Sequence, residues 1–539
     1  MQQGLTLQEV LGVLSKSSPY AVATERDEAI SVELDRVKKY LYIADTGVEK
    51  EFEKAIAALA PSDKKIIFLC GSSGDGKSEI LTKAKKKYED KVEFHLDATH
   101  SLKPDATAIE TLDELFDDFH NANKSLVVGI NIGMMGNYAK TNKHPSITDS
   151  IGLFLGKKET PDNHIFINFE DFPKFTLNTD SHSSEFALKL IQRIVAKDDN
   201  VIRNYFEQDT SKTKISNRIK ANYRLLSIPS VQTVIIDSLF KARLLKDQFV
   251  TARALLDFIY HLLVGSKYLF ENLFSCTESE LAQKVADFDP SLLRTKKIDE
   301  FILFFGLNIE DLKFLEFKND LNKELDLVVD NDVNAEFYIR LFFVLKDFDF
   351  SNNYHKKYKS EFNDNTLDSY ATLWRLHNVK LGGEQISNLL SFYEQIIIAS
   401  LTTYNNKNAY KLSNREFLLS HTNGIDIVAE LDIKADLDAI QSCSGLENKD
   451  ISVFRTKILV GEKPIEILVN INLLAMMHKI LKGHRPNKHD KNAIVILDEV
   501  IEKLNVIANQ SPVLFFHKGA KKYRIEDVAK GTHINVSGG

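Results

Sequence analysis

The sequence predicts an α/β chain: a parallel sheet flanked by helices, then a largely helical region with some α+β character towards its end. Three observations predict it. Residues 71–78 read Gly-Ser-Ser-Gly-Asp-Gly-Lys-Ser directly after the apolar run Ile66-Ile67-Phe68-Leu69-Cys70. Further apolar runs near 92–96, 126–130 and 165–169 are separated by stretches long enough for crossover helices, which parallel strands require. From 184 to 267 the runs, such as Ala187-Leu188-Lys189-Leu190-Ile191, have helical spacing and little strand character.

A chain of 539 residues is too long for one core, and roughly two to four domains are expected. Apolar residues at 43% and charged residues at 27% exclude a disordered or fibrous chain. The net charge of −7 gives no global basic field for nucleic acid, although a local basic stripe stays open. Cys70, Cys276 and Cys443 lie far apart without Cys-x-x-Cys spacing, so they read as thiols of a reducing cytoplasm rather than a disulfide frame or metal site. The opening Met-Gln-Gln-Gly-Leu-Thr lacks the basic-then-apolar pattern of a signal peptide. No window approaches the ~18 uninterrupted apolar residues of a membrane span. A cytoplasmic protein with no membrane partner is expected.

Element by element, residues 1–50 form a leader with a turn-like Ser15-Lys16-Ser17-Ser18-Pro19-Tyr20 and a charged helix over 25–42. In 47–59, Val48, Phe52, Ala55 and Ile56 recur at helical spacing and deliver the chain to the strand at Ile66. A helix over 79–88 follows the glycine-rich loop, then a strand over 92–96, a helix over 107–119, and strands over 126–130 and 165–169. Residues 280–420 read as mainly helical and aromatic-rich. Beyond 425 the pattern is mixed, with strands near 425–428, 453–460 and 466–469 and helices over 473–481 and 493–507. The expected divisions are a leader (1–50), a sheet core (51–183), a small helical lid (184–275), a helical domain (276–424) and a mixed α+β end (425–539).

The 71–78 sequence matches the phosphate-binding P-loop, and its strand–loop–helix context is the one that chemistry needs. Gly71, Gly74 and Gly76 let the backbone curl so that N–H groups of Ser72, Ser73 and Asp75 can turn towards phosphates. The following helix adds its positive N-terminus. Lys77 reaches the β- and γ-phosphates and the Ser78 hydroxyl ligates Mg²⁺. The expected ligand is therefore ATP with Mg²⁺, and the expected fold an α/β P-loop NTPase of AAA/ASCE-like type with a helical lid.

Hydrolysis also needs an acid at the end of a neighbouring strand and a group that orients water. Asp97 ends the strand at 92–96 and leads as the metal-side acid; its rival role is to shape the site. Glu170 and Asp171 follow the strand at 165–169 and stand as the alternative pair. The string Ile494-Val495-Ile496-Leu497-Asp498-Glu499 resembles the same motif but runs on into helical spacing, so it reads as a C-terminal helix, and Asp113 reads as a solvated helix face. Asn131 ends the strand at 126–130, the place of a γ-phosphate sensor, with a capped turn as the plain alternative. Arg253, in Thr251-Ala252-Arg253-Ala254-Leu255, fits a lid arginine that reaches the γ-phosphate, or an ordinary surface arginine. Arg193, Arg218 and Arg224 are equivalent candidates for a finger supplied by a neighbouring subunit in a homo-oligomer. Basic clusters at Lys85-Lys86-Lys87, at 479–491 and at Lys518, Lys521, Lys522 and Arg524 could touch DNA phosphates, but read first as solvated surface. His484 and His489 lack the further ligands of a metal site.

Four stretches together resemble the DptF family, the ATPase-like subunits of the DNA phosphorothioation-dependent restriction system. They are residues 15–22, 67–81, Phe94-His95-Leu96-Asp97-Ala98-Thr99-His100-Ser101 and Val127-Val128-Gly129-Ile130-Asn131-Ile132-Gly133-Met134. The resemblance covers about the first 140 residues by motif, and more loosely the lid to about 265. It implies a bacterial defence role against DNA lacking a sulfur mark, with DptG and DptH as partners. No Asp/Glu/Lys cluster in the sequence reads as a nuclease site, so DNA cleavage would belong to a partner or need the assembled complex. Two other functions stay open on the residues alone: a nucleotide-gated scaffold with little hydrolysis, and a remodelling ATPase unrelated to DNA.

Overall fold

In the computed structural model the four apolar runs form one parallel sheet in the order β2–β3–β1–β4, made of β1 (Ile66–Gly71), β2 (Val92–His95), β3 (Ser125–Asn131) and β4 (His164–Asn168). The structure describes residues 5–538 except 17–27, 45, 61, 99–106, 142, 178–181, 213–214, 276–278, 310, 330–332, 364–365, 379–381, 410–411, 414, 440–449, 488–489, 520 and 528–533. The chain groups into two compact units, one of Met1–Phe175 with Ser184–Asn363 and one of Thr176–Ser183 with Asp364–Gly539.

In the first unit, α1 (Leu7–Leu11), α2 (Glu28–Leu41) and α3 (Gly47–Ala57) precede the sheet. Every residue of β1 is buried, because the sheet is covered on both faces. The period-2 alternation of a strand sends Ile66, Phe68 and Cys70 into one core and Ile67 and Leu69 into the other. The first core is closed by Leu112 and Phe116 of α5 (Ala108–Asn121), by Met135 and Tyr138 of α6 (Ile132–Tyr138), and by Ile147 and Ile151 of α7 (Pro145–Leu155). Phe52 and Ile56 of α3 and Ile80, Leu81 and Ala84 of α4 (Lys77–Tyr88) close the second. The predicted strands and flanking helices are present; α6 and α7 fill a stretch to which the sequence pattern assigned no element.

After β4 come α8 (Glu185–Val195), α9 (Val201–Ser211), α10 (Asn217–Leu226), α11 (Pro229–Leu245) and α12 (Ala252–Val264). The leader is tied to them: the Leu7 amide donates to Asp209 Oδ2 at 2.6 Å and the Lys16 amide to Asp257 Oδ1 at 2.5 Å. The unit ends in helices gathered around an aromatic cluster that includes Phe301, Phe314, Tyr338 and Phe342.

The second unit holds a short hairpin, β5 (Thr176–Leu177) with β6 (His182–Ser183), and two larger antiparallel sheets. Strands β7 (Glu416–Thr422), β8 (Ile425–Glu430), β12 (Val513–Lys518), β13 (Lys521–Asp527) and β14 (Ile534–Gly538) pair in the order β14–β13–β12–β8–β7. Strands β9 (Ile433–Ala435), β10 (Val453–Val460) and β11 (Lys463–Asn470) form the other. The acidic string at 494–499 lies in the helix Lys491–Ala508, where Asp498 accepts from the Tyr404 hydroxyl at 2.8 Å. Among the described residues no single helix is long and apolar enough to cross a membrane; α10 and α11 are apolar together but meet at 82°.

Candidate functional site

The C-terminal edge of the parallel sheet, where ligands bind in open α/β folds, gathers most of the chemistry-bearing residues. β1 delivers Gly71 there, in register with Asn131 at the end of β3. The chain then turns through Ser72 and Ser73, with Gly74 at φ +84° and Gly76 at φ +97°. Both angles are in the left-handed region open to glycine, and Gly76 launches α4 without any side-chain cap. By contrast α5, α6 and α12 are each capped by a Thr or Asn side chain. The first N–H groups of α4 thus carry the partial positive charge of a helix start with no side chain to accept from them.

Lys77, half-buried, turns its ammonium back into the loop, donating to Gly71 O at 3.0 Å and Ser72 O at 2.7 Å. Burial lowers its pKa; Asp75 and Asp97 act to raise it and Lys174 to lower it. Asp97, exposed just past β2, is therefore among the charges that Lys77 feels. Beneath the loop, burial pushes the Cys70 thiol well up, and Asp171 adds to that. Glu170 and Asp171 are exposed in the 3-10 turn Phe169–Asp171 at the end of β4, whose Phe169 is buried. Ser78 is exposed in the first turn of α4. Asn131 is the N-cap of α6, accepting from the Met134 amide at 2.6 Å, so its carbonyl oxygen is engaged as the capped-turn alternative foresees.

Arg253 reaches the loop by its main chain. Its N–H donates to Gly74 O at 3.0 Å, and a Cβ built on Gly74 would stand 2.8 Å from Arg253 Cβ and 3.3 Å from Thr251 Oγ1. The start of α12 thus rests directly on the apex of the loop. The buried Arg253 Nε lies 3.5 Å from Asp257 Oδ2, an ion pair without a hydrogen bond. Of the finger candidates, Arg193 stacks over Tyr40 at 5.0 Å, Arg224 pairs with Asp326 at 2.5 Å, and Arg218 has a buried Nε without a partner.

No family model, curated protein or solved structure matches the chain.

Lys174 escaped the sequence reading, and so did the role of the Asp75 carboxylate, since Asp75 was expected to serve only through its place in the loop. Asp75, with only 1% of its side chain exposed, accepts from the Ser72 amide at 2.7 Å and pairs with Lys174 Nζ at 2.7 Å. Lys174 follows β4 in Phe172-Pro173-Lys174-Phe175, a string that carries no binding motif. Its only signal would have been the adjacency of β4 to β1, which sequence spacing does not give.

Among the described residues no group of three or more His, Cys, Asp or Glu could hold a metal by itself. Mg²⁺ in phosphate sites takes one or two protein oxygens and completes its shell with water and phosphate, so Ser78 and Asp97 would be enough. The basic clusters are partly neutralised: Lys522 pairs with Glu416 at 2.6 Å, Arg524 with Glu526 at 3.3 Å and His484 with Asp490 at 3.1 Å. Ser17, Ser18, Pro19, Tyr20, Ala21, Val22, Thr99, His100, Ser101, Cys276, Cys443, Lys488 and His489 lie outside the described residues.

Proposed function

We propose that the first unit is an AAA/ASCE-like P-loop NTPase core that binds ATP with Mg²⁺ and hydrolyses it, with α8 to α12 as its lid. The observation that carries this is the 71–78 loop itself. A half-buried ammonium is held inside a curl shaped by two left-handed glycines, at the uncapped start of a helix. That combination of a fixed cation and aligned N–H groups suits a polyanion and little else. Arg253, whose Nε lies 3.5 Å from Asp257 Oδ2, would have to exchange that partner to reach the same ligand.

Bound ATP supplies a γ-phosphoryl group whose transfer to water yields ADP and phosphate. Lys77 would exchange its carbonyl partners for phosphate oxygens, and Ser78 and Asp97 would hold Mg²⁺, which supplies charge neutralisation of the phosphates. Asp97, past the end of β2 and acting on Lys77, is the leading metal-side acid, with Glu170 and Asp171 after β4 as the alternative pair. Arg253 links the lid to the loop, so that lid position and phosphate occupancy are coupled. The motif resemblance to the DptF family extends this to an ATPase subunit of a phosphorothioation-dependent restriction complex, working with DptG and DptH on unmodified DNA in the cytoplasm.

Calorimetry of the full chain with MgATP tests the binding, and phosphate release with and without DNA, DptG and DptH tests the rest. Lys77→Ala is expected to abolish ATP binding, and Asp97→Asn to retain binding while losing turnover. Wild-type chain that takes no ATP refutes the nucleotide reading. Turnover indifferent to DNA in the presence of both partners refutes the restriction reading alone.

A further inference from the structure

The 71–78 loop contains a buried anion, which is the wrong charge for a phosphate site. Asp75 sits one residue before Gly76, and its side chain is 1% exposed. A buried carboxylate must be paired and hydrogen-bonded to be tolerated, and each of its oxygens has a partner. Oδ2 accepts from the Ser72 N–H at 2.7 Å, closing residues 72–75 into a turn, and Oδ1 faces Lys174 Nζ at 2.7 Å.

Lys174 is fixed at both ends. Its carbonyl oxygen accepts from Ser184 Oγ at 2.6 Å, and Ser184 also caps α8 through the Ala187 amide at 3.2 Å. Its ammonium lies 5.8 Å from the centre of the Phe169 ring. That ring packs on Gly71, where an added Cβ would come within 3.0 Å of Phe169 Cδ2. The side chain is 14% exposed, which limits solvent screening of the pair.

We infer that Lys174 is a positioning residue of the nucleotide site: it tethers and neutralises Asp75, so that the loop keeps its curl and presents a net positive face to phosphate. This rests on the nucleotide reading above. Without Lys174, Asp75 is an uncompensated buried carboxylate a short distance from where a triphosphate must sit, and it would also hold Lys77 as its own counter-ion. Asp75 and Lys174 already act on Lys77 in opposite senses. Removing both charges together restores the balance, whereas an ion pair that merely stabilises the fold would show no such reciprocity in anion affinity.

The test is calorimetry of ATP and ADP binding to the full chain, well below its unfolding temperature. Lys174→Met is expected to weaken ATP binding at least tenfold, and ADP binding less, because the repulsion scales with ligand charge. Lys174→Arg should stay within about threefold of wild type. The double change Asp75→Asn with Lys174→Met should recover most of the loss. Should Lys174→Met fail to fold, Lys174→Gln decides: it keeps a donor for Asp75 without the charge, and weaker ATP binding is again expected. Wild-type affinity in Lys174→Met or Lys174→Gln, or a double variant as weak as Lys174→Met alone, overturns the inference while ATP binding stands. Absence of ATP binding by the wild-type chain overturns it together with the nucleotide reading.

Discussion

Gly74→Ala is the sharpest probe of the contact between α12 and the 71–78 loop. The residue is at φ +84°, where an L side chain costs about 1–2 kcal/mol. The new Cβ would also stand 2.8 Å from Arg253 Cβ, against a carbon–carbon optimum of about 3.5–4.0 Å. Both carbons are attached to main chain, so no rotamer change relieves the overlap. Either the loop or the start of α12 must move, and the Arg253 N–H→Gly74 O bond of 3.0 Å is then lost, worth about 1 kcal/mol net. Together these give about 2–4 kcal/mol, focused on one junction. Amide hydrogen exchange reads it locally: a 2 kcal/mol loss speeds exchange of the Arg253 amide about 30-fold at ~1.4 kcal/mol per tenfold. Gly76→Ala provides the control for backbone strain, since φ is +97° but nothing lies within 4 Å of its Cβ. Gly152→Ala, inside α7 with open space around it, should stabilise by up to about 1 kcal/mol. If Gly74→Ala and Gly76→Ala exchange alike at Arg253, α12 does not rest on the loop in solution.

Gly129→Ala tests the packing under the site: its Cβ would lie 2.4 Å from Leu81 Cδ1 and 2.7 Å from Leu96 O. A loss of about 2–3 kcal/mol in denaturant unfolding of the first unit is expected, and Leu81→Ala should not rescue it, because the Leu96 carbonyl is main chain. In the second unit, burial lowers the His377 pKa from 6.5 to about 4, with Nδ1 on Leu373 O at 2.7 Å and Nε2 3.2 Å from the Tyr393 hydroxyl. Because the folded pKa lies below the unfolded one, stability is full above pH 6.5. It falls as pH drops towards 4, by roughly 3 kcal/mol at about 1.4 kcal/mol per pH unit. His377→Gln should flatten that segment of the stability–pH curve, and an unchanged slope would refute the assignment.

The parallel sheet was legible because burial on both faces leaves continuous apolar runs, and Ile66 to Cys70 has no polar residue to disguise it. The loop was legible because its glycines answer a backbone need that shows in the sequence. α6 and α7 were not. Residues 132–138 contain two glycines and an asparagine, all weak helix formers, and α6 is fixed by the Asn131 cap and by burial of Met135 and Tyr138 against the sheet. The hairpin of β12 and β13 was hidden differently: Lys518, Lys521 and Lys522 read as a charge cluster although Lys518 pairs directly with Lys521, and what holds the hairpin in its sheet is the distant pairing of β12 with β8. Lys174 was invisible for the same reason, since its partner lies 99 residues away. Arg253 was flagged for its guanidinium, yet the contact it makes with the loop is through its amide, which no side-chain motif encodes.

Sheet order explains why the loop has the partners it has. β1 lies between β3 and β4, so one side of the loop is served by the end of β3 and, one strand further, by Asp97 after β2. The other side is served by the turn after β4, which brings Phe169 against Gly71 and Lys174 against Asp75. An acid, Asp97, acts on the loop's cation from the first side, and a cation, Lys174, neutralises the loop's acid from the second, where Glu170 and Asp171 also stand. Under the proposed nucleotide reading, Mg²⁺ would take its carboxylate from the first side, where Asp97 acts on Lys77. Asp171, in the turn after β4, acts on the buried Cys70, and with Glu170 it adds negative charge to the flank where Lys174 pairs with Asp75.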